Sequence, residues 1–564
     1  MRSSRQTMVC MLLLLCAATA LTVSTYPVFD QTYDEPAHLA AGVQLLDEGR
    51  YDYELTHGPL ARLAVAAGPY LDGARSHDKA NIYDEGREIL YCCGKYERTL
   101  TLARLGNLPF LILLIVVTYL WGRRVAGELA GLIAAFFVAT IPPILGNSAI
   151  ATTDLAAAST AVLALYALAI WAERPTFAAG CLFGAACGLA VASKLSAVPF
   201  LVVAIGGLLV GVLILQPRSL VPLIAQPRWQ GYLSVLLGAL VALWLAYGMR
   251  IAPISQLDPR ADSFVDSHTG HSGGLHAAAR FAVDSVPIPI YLVKLPLGVR
   301  WAGRMNERGH LSFLLGETSM RGWWYYYPVN LAVRTPIPLL LSGLAGLAWL
   351  GVRAWRTKSW QTLFPLAAFA SILLFCLLFV RFNLGLRHVF ILFPPLAIGA
   401  GFAVANILQD RAVALGLKVA VAAALAWQAI TPVLAAPDQM TWFNAFAGSK
   451  PERILLVADL DWGQDLKRLK SVLQARHIEK VYLAYQGSAD LAREGLPPFQ
   501  ILPENVPVRG WVAISLVKKA RAHEGYAWLD EFKSVERVGR SIDLYYIEQP
   551  PQQPQSPQAP NGAL

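Results

Sequence analysis

The sequence predicts a polytopic α-helical membrane protein with a small α/β domain after its last span. Three observations predict it. Of 564 residues, 55% are hydrophobic and only 15% are charged, against roughly 25% charged in soluble domains. Apolar runs long enough to cross a bilayer, about 20 residues each, recur along the chain. Beyond residue 434 they stop, and short segments of strand and helix character replace them. The mean hydropathy of +0.45 agrees.

The candidate spans, about eleven in all, are 7–25, 100–121, 125–145, 149–171, 177–193, 195–215, 231–249, 336–355, 361–380, 388–408 and 412–434. The first, in MRSSRQTMVCMLLLLCAATALT, also has the basic, apolar and small-residue regions of a signal peptide. We read it as a retained anchor, and the chain emerges on the far side either way. Orientation follows from the basic residues. With the N-terminus in the cytoplasm, Arg123, Arg124, Arg174, Arg218, Arg228, Arg353, Arg356, Lys358 and Arg411 all fall in cytoplasmic loops. The net charge of +9 is thus an orientation signal rather than a sign of nucleic-acid binding. The chain divides into a transmembrane part, 1–434, with outer loops 26–99 and 250–335; an extracytoplasmic α/β domain, 435–548; and a Pro/Gln tail, 549–564, expected to be disordered.

Loop 26–99 carries two amphipathic stretches, 36–48 and 59–72, with Leu39, Val43 and Leu46 on one face of the first. Such helices lie at the membrane interface. Loop 250–335 is rich in His, Arg and aromatics, with a Trp/Tyr cluster at 323–327 suited to the headgroup level. In the last domain, RILLVADLDWGQDLKRLKSVLQARHIEKVYLAYQG reads strand, turn, helix, strand, and GWVAISLVKK and SIDLYYIE read as further strands. Cys10, Cys16, Cys181, Cys187 and Cys376 lie in apolar runs, and Cys92 and Cys93 are adjacent, so no disulfide framework follows.

The polar chemistry gathers on the outer face. Asp34 and Glu35 precede Pro36, so they suit a helix cap and first turn, or a general base held rigidly at a cavity rim. Asp154, in NSAIATTDLAAAST, is an ionisable residue at the end of a span, suited to function or to capping. Four cations share this face against the charge rule: Arg104 in TLTLARLGN, Lys194 in VASKLSAVP, and Arg381 and Arg387 in VRFNLGLRHVF, beside His388. Each could snorkel alone. Together they suit a phosphate at the outer leaflet. His57, His310 and Tyr326 are candidates to line the site, or ordinary polar residues of their loops. DWGQDL reads as turn and cap chemistry, through Asp461 and Asp465. No metal-ligand spacing appears, and a divalent metal is neither indicated nor excluded.

These motifs resemble those of the GT-C membrane glycosyltransferases that use polyprenyl-phosphate sugars: protein O-mannosyltransferases, lipid A aminoarabinose transferases and the RgtA/B/C/D-like proteins. The resemblance rests on DEPAHLAAGVQLLDEGRYDYELTHGPLARL, on the TTD ending at Asp154, on ASK at Lys194, on NLGLRH at Arg387, and on FNAFAG with DLDWGQDLKRL. Gly58 stands where the family has the first proline of His-Pro-Pro-Leu. The resemblance implies the GT-C fold and inverting transfer of a sugar from a polyprenyl-phosphate donor to a hydroxyl on a lipid, glycan or protein. It implies Asp34 as base, Asp154 as a second site carboxylate, and Glu35 as support for Asp34 or guide for the acceptor. Arg104, Lys194 and Arg387 become phosphate contacts, with Arg381 beside them. The implied setting is a bacterial inner membrane. Two rival readings remain: a transporter or flippase of a lipid-linked anion, which would place ionisable residues at the midplane, and a non-catalytic membrane scaffold.

Overall fold

The computed structural model describes residues 2–216, 229–258 and 260–551. Among the described residues, nine helices are long and apolar enough to cross a membrane, from Arg5–Val23 to Leu415–Ala435. The pair Glu128–Ala139 and Pro142–Ser148, bent by 63°, makes a tenth candidate, and Phe177–Ser193 is a shorter apolar helix. Each falls where the hydropathy marks a span. The bend follows from Pro142 and Pro143, which open the second helix without an N–H to continue the first. Arg218, Arg228 and the tail from 552 onward lie outside the described residues.

The interior of the bundle is built on Leu108–Ala126, Glu128–Ala139, Asp154–Glu173 and Phe393–Gln409, whose facing side chains form one continuous apolar core. At one end of it, segment 26–99 folds into helices Glu35–Glu48, Pro59–Leu71 and Ile82–Tyr91, followed by Tyr96–Leu105, which leads into the second span. The first is packed against both the second and the third. Leu39 and Val43 face inward as expected, but Leu46 is 36% exposed and Leu45, 6% exposed, takes the inward place. A glycine allows the third helix to close on the first: a Cβ at Gly86 would stand 2.1 Å from the carbonyl oxygen of Pro36. Segment 250–335 holds short helices, the longer helix Tyr291–Arg308, an antiparallel pair of strands, Ile251–Pro253 and Pro287–Pro289, and a small hairpin, Ser312–Leu314 with Glu317–Ser319.

After the last span lies a five-stranded sheet in the order Phe499–Ile501, Val481–Ala484, Gly510–Ser515, Ile542–Ile547, Glu536–Val538. The first three strands are parallel, and the last two join antiparallel. Both faces are covered. Helix Leu466–Ala475 lays Leu466, Leu469 and Leu473 on one face, while Tyr526 and Leu529 cover the other. The strand expected over RILLVADL is not one. Ala458 has φ +60°, which ends extended backbone there, and Leu456 and Leu460 pack against Phe313, Leu516 and Val517 instead of joining the sheet. GWVAISLVKK is likewise strand only to Ser515, after which Leu516–Arg521 is helical.

Gly86→Ala is expected to push helix Ile82–Tyr91 away from the start of the Asp34 helix and to cost about 1–3 kcal/mol by overpacking. Thermal unfolding of the purified variant checks this. A melting temperature equal to wild type would show that the two helices have room to separate.

Candidate active site

Two carboxylates at the head of helix Glu35–Glu48 have different partners. Glu35 is 1% exposed and fully engaged. Its Oε1 accepts from Arg104 Nε at 2.9 Å and from the Ala151 N–H at 2.8 Å. Its Oε2 accepts from Arg104 Nη2 at 3.0 Å and from the Thr32 N–H at 2.7 Å. Arg104 donates its remaining hydrogens to the carbonyls of Tyr26, Phe29 and Asp30. A guanidinium has five N–H donors, and all are used. Arg104 therefore has no donor left for a phosphate, and Glu35 has no lone pair directed at an acceptor. The phosphate contact expected of Arg104 is revised, and of the two roles open to Glu35 the support of Asp34 is the one this buried clamp fits. Arg104 holds the Glu35 carboxyl below its usual range against the opposing effect of burial.

Asp34 occupies the helix-cap position, yet its side chain makes no capping bond. The carboxylate points instead to Arg387, whose Nη1 donates to Asp34 Oδ2 at 2.9 Å and to Asp154 Oδ2 at 3.3 Å. Asp154 is the first residue of its helix, where the dipole favours a carboxylate. Its Oδ1 accepts from Lys194 Nζ at 2.6 Å. Asp34 is 24% exposed in its side chain and Asp154 only 2%, so one stands at the rim and the other at the base.

Arg387 is held from three directions. The Trp462 ring stacks on its guanidinium at 3.9 Å. Its Nε donates to the Leu384 carbonyl at 3.4 Å. The turn before it is fixed from below by Asp459, 2% exposed, which accepts from the Leu386 N–H at 3.0 Å and Asn330 Nδ2 at 2.9 Å. Tyr326 donates to Asp459 and accepts from the Gly385 N–H at 2.8 Å. Tyr326 thus supports the turn rather than lining the cleft.

Lys194 follows helix Phe177–Ser193 in extended backbone, zipped to residues 56–58. The Leu195 N–H donates to Thr56 O and the Gly58 N–H to Ser193 O, each at 3.2 Å. The departure from the family's proline now has a reason. Proline at 58 could not donate that bond, and a Cβ there would stand 2.1 Å from Ala192 O. Lys194 Nζ also lies 3.3 Å from His388 Nδ1. An ammonium only donates, so in this contact His388 accepts at Nδ1.

Beneath Lys194 lies a second polar layer. Arg62 donates to His38 Nδ1 at 3.3 Å, to Tyr51 Oη at 2.8 Å and to Glu54 Oε2 at 2.6 Å. His57 Nδ1 pairs with Glu54 Oε2 at 2.6 Å, and the rings of His38 and His57 meet edge to face. Burial pushes both histidines below their usual range, and the Arg62 charge adds to this at His38.

Of the residues singled out in the sequence, Asp34, Asp154, Lys194 and Arg387 converge on one cluster. The cleft beside them is lined by Asp154, Lys194, Arg387 and His388, with apolar walls including Phe200 and Ile391. His57 lies in the layer below. His310 donates Nδ1–H to the Leu311 carbonyl and stacks edgewise on Phe382. Arg381 is exposed and contributes only its backbone N–H, to Asn306. His388, Asp459 and Trp462 were not chosen from the sequence. DWGQDL forms turn chemistry at Asp461, which accepts from the Gly463 N–H two residues on and also from that of distant Val517, whereas Asp465 makes no capping bond to its helix and accepts instead from the distant N–H groups of Arg540 and Ser541. It also binds the acidic segment directly, since the Tyr33 N–H donates to Trp462 O and the Asp30 N–H to Gln464 O. Among the described residues no group of three or more His, Cys, Asp or Glu side chains is placed to hold a metal ion.

This arrangement separates tasks. Lys194 and Arg387 can receive an anion in the cleft, held in place by Asp154. Asp34 can take a proton from a group arriving at the rim.

Two expectations follow. Arg104→Ala leaves Glu35 as an uncompensated buried charge, a loss of about 3–5 kcal/mol, and Arg104→Lys cannot restore the bidentate pair. Detergent-solubilised yield and melting temperature check this; a stable Ala variant with weakened anion binding would return Arg104 to the phosphate site. The second concerns acid. For a histidine held below its unfolded pKa, the unfolded chain binds the extra proton. The stability is therefore complete above pH ~6.5 and falls below it, by up to ~1.4 kcal/mol per pH unit per proton. Melting temperatures at pH 7.5 and 5.5 should fall in that order, and His38→Gln should shallow the slope. An unchanged slope would exclude His38 as its source.

No family model matches the sequence, and no curated protein matches it. Solved structures do. An archaeal oligosaccharyltransferase, AglB from Archaeoglobus fulgidus with an inhibitory peptide and a dolichol-phosphate, is similar at 16% identity and TM-score 0.45 over 78% of this chain. The chain spans just over half of that protein, 56%. ArnT from Cupriavidus metallidurans bound to undecaprenyl phosphate is similar at 12% identity and TM-score 0.45, over 94% of this chain and 97% of that one. Its apo form gives 13% and 0.46 over the same shares.

Proposed function

We propose that this chain is an inverting glycosyltransferase that moves a sugar from a polyprenyl phosphate to an acceptor hydroxyl at the outer face of the membrane. The observation that carries the reading is Arg387: one guanidinium shared by Asp34 at the rim and Asp154 at the base, with Lys194 beside it.

The donor phosphate enters the cleft and takes up Lys194 and Arg387. Those cations are balanced by two carboxylates while the cleft is empty, so the phosphate competes with Asp34 for Arg387 and frees it. Asp34 then accepts the proton of the acceptor hydroxyl as its oxygen attacks the anomeric carbon. The bond from that carbon to the phosphate oxygen breaks, and the cations stabilise the departing polyprenyl phosphate. Single displacement inverts the anomeric centre. Glu35 and Arg104 fix the rim without touching the reactants.

The ionisable residues support an enzyme over a transporter. Asp154 opens its helix, Lys194 follows the end of another, and Arg387 precedes a third, so all stand at the end of the bundle rather than at its midplane. The basic loops support the orientation, with Arg124 paired to Glu173 at the other end of the Asp154 helix.

The test is sugar transfer by purified protein from polyprenyl-phosphate sugars, with acceptors drawn from the membrane lipids and glycans of the host. Asp34→Asn is expected to lower turnover by about 10²–10⁴ with donor affinity retained. Full turnover in that variant would remove Asp34 as the base, and no transfer by the wild type from any donor would remove the reading itself.

A further inference from the structure

A second and larger cavity lies away from the Arg387 cleft, at the same end of the bundle. It runs between the ends of two spans, Ile337–Thr357 and Leu415–Ala435, under segment 438–451. Its lower wall is apolar, with Ile337, Trp427, Leu434 and Phe443. The neighbouring faces of both spans turn apolar side chains outward. Leu341 is 60% exposed, Ile430 53% and Leu434 77%. In membrane-spanning helices such faces meet acyl chains, so the groove opens sideways to the bilayer.

Its upper wall is charged with both signs. Arg540, from the turn between the last two strands, is 60% exposed in its side chain and stands 3.7 Å from Asp438. Asp438 also pairs with Arg468 at 2.7 Å, and Arg468 with Asp465 at 3.3 Å. On the wall itself Arg540 and Asp438 set one charge of each sign side by side, while Arg468 and Asp465 lie outside its lining. An apolar slot beneath a neutral pair of opposite charges complements a ligand of the same build: two acyl chains, a phosphate, and a primary ammonium a few atoms beyond it.

We propose that this groove binds one zwitterionic aminophospholipid of the surrounding membrane. Its phosphate lies on Arg540, its ammonium on Asp438, and an acyl chain between the two spans. The site is independent of the sugar-transfer reading. It joins the outermost span, Leu415–Ala435, to the sheet that follows it.

The experiment is native mass spectrometry of the full-length protein, delipidated in detergent and titrated with phosphatidylethanolamine or phosphatidylglycerol. Two variants leave the core untouched. Arg540→Ala removes the phosphate contact but keeps the backbone N–H that Asp465 accepts. Ala445→Trp fills the groove from an exposed position on its rim. The expected result is one tightly retained phosphatidylethanolamine on the wild type, with affinity lowered about tenfold in each variant, a change of about 1.4 kcal/mol. Equal or stronger retention of phosphatidylglycerol would overturn the choice of headgroup and with it the proposal. Wild-type retention by Ala445→Trp would overturn the location.

Discussion

The buried pair of Glu35 and Arg104 sets the position of everything else in the site. Glu35 is joined to Asp34 through the chain, and it accepts from the Ala151 N–H, three residues before Asp154. Arg104, from the second span, completes the pair and gathers three carbonyls of segment 26–30. One ion pair thus locks the acidic segment, the second span and the start of the Asp154 helix to one another. Its charges are affordable in an apolar bundle because neither partner has an unsatisfied donor or lone pair. Asn107 adds to the lock by donating to the Ile150 carbonyl at 2.5 Å.

Around that lock the site is drawn from five distant stretches of chain, and each arrives through backbone bonds rather than through its functional side chain. Lys194 is zipped to residues 56–58, Arg387 sits on a turn held by Asp459, and Trp462 is tied to Tyr33. The side chains are then left to meet at the cluster, where Arg387 is further braced by Trp462 and the Leu384 carbonyl. The quartet of Asp34, Asp154, Lys194 and Arg387 has no net charge, which lets it exist at the end of an apolar bundle and still exchange partners when an anion enters.

Much of this was legible in the sequence, because hydropathy and basic loops act over single segments. Every span could be placed from its own composition, and alternation then put Asp34, Asp154, Lys194 and Arg387 at one end of the bundle. What could not be read was how charges at that end would pair. Arg104 and Arg387 look alike in sequence, each a lone cation at a span end. Only the fold shows that one is saturated by Glu35 and the other shared between two carboxylates. The apolar run at 454–460 was misread for a related reason. Its residues suit a strand, but Phe313 and Leu516, far away in sequence, offer burial that the sheet does not. Gly58 looked like a weak match to a family motif, and is instead the residue that permits the zipper to Ser193.

The stacking of Trp462 on Arg387 has a consequence for the order in which the protein is made. Trp462 lies beyond the final apolar segment, whereas Asp34 follows the first. A nascent chain can insert every one of its spans and still lack one face of the cleft. The cluster is completed only when nearly the whole polypeptide has been made. A chain ending before Trp462 would carry both Asp34 and Arg387 but leave one face of the guanidinium unsupported.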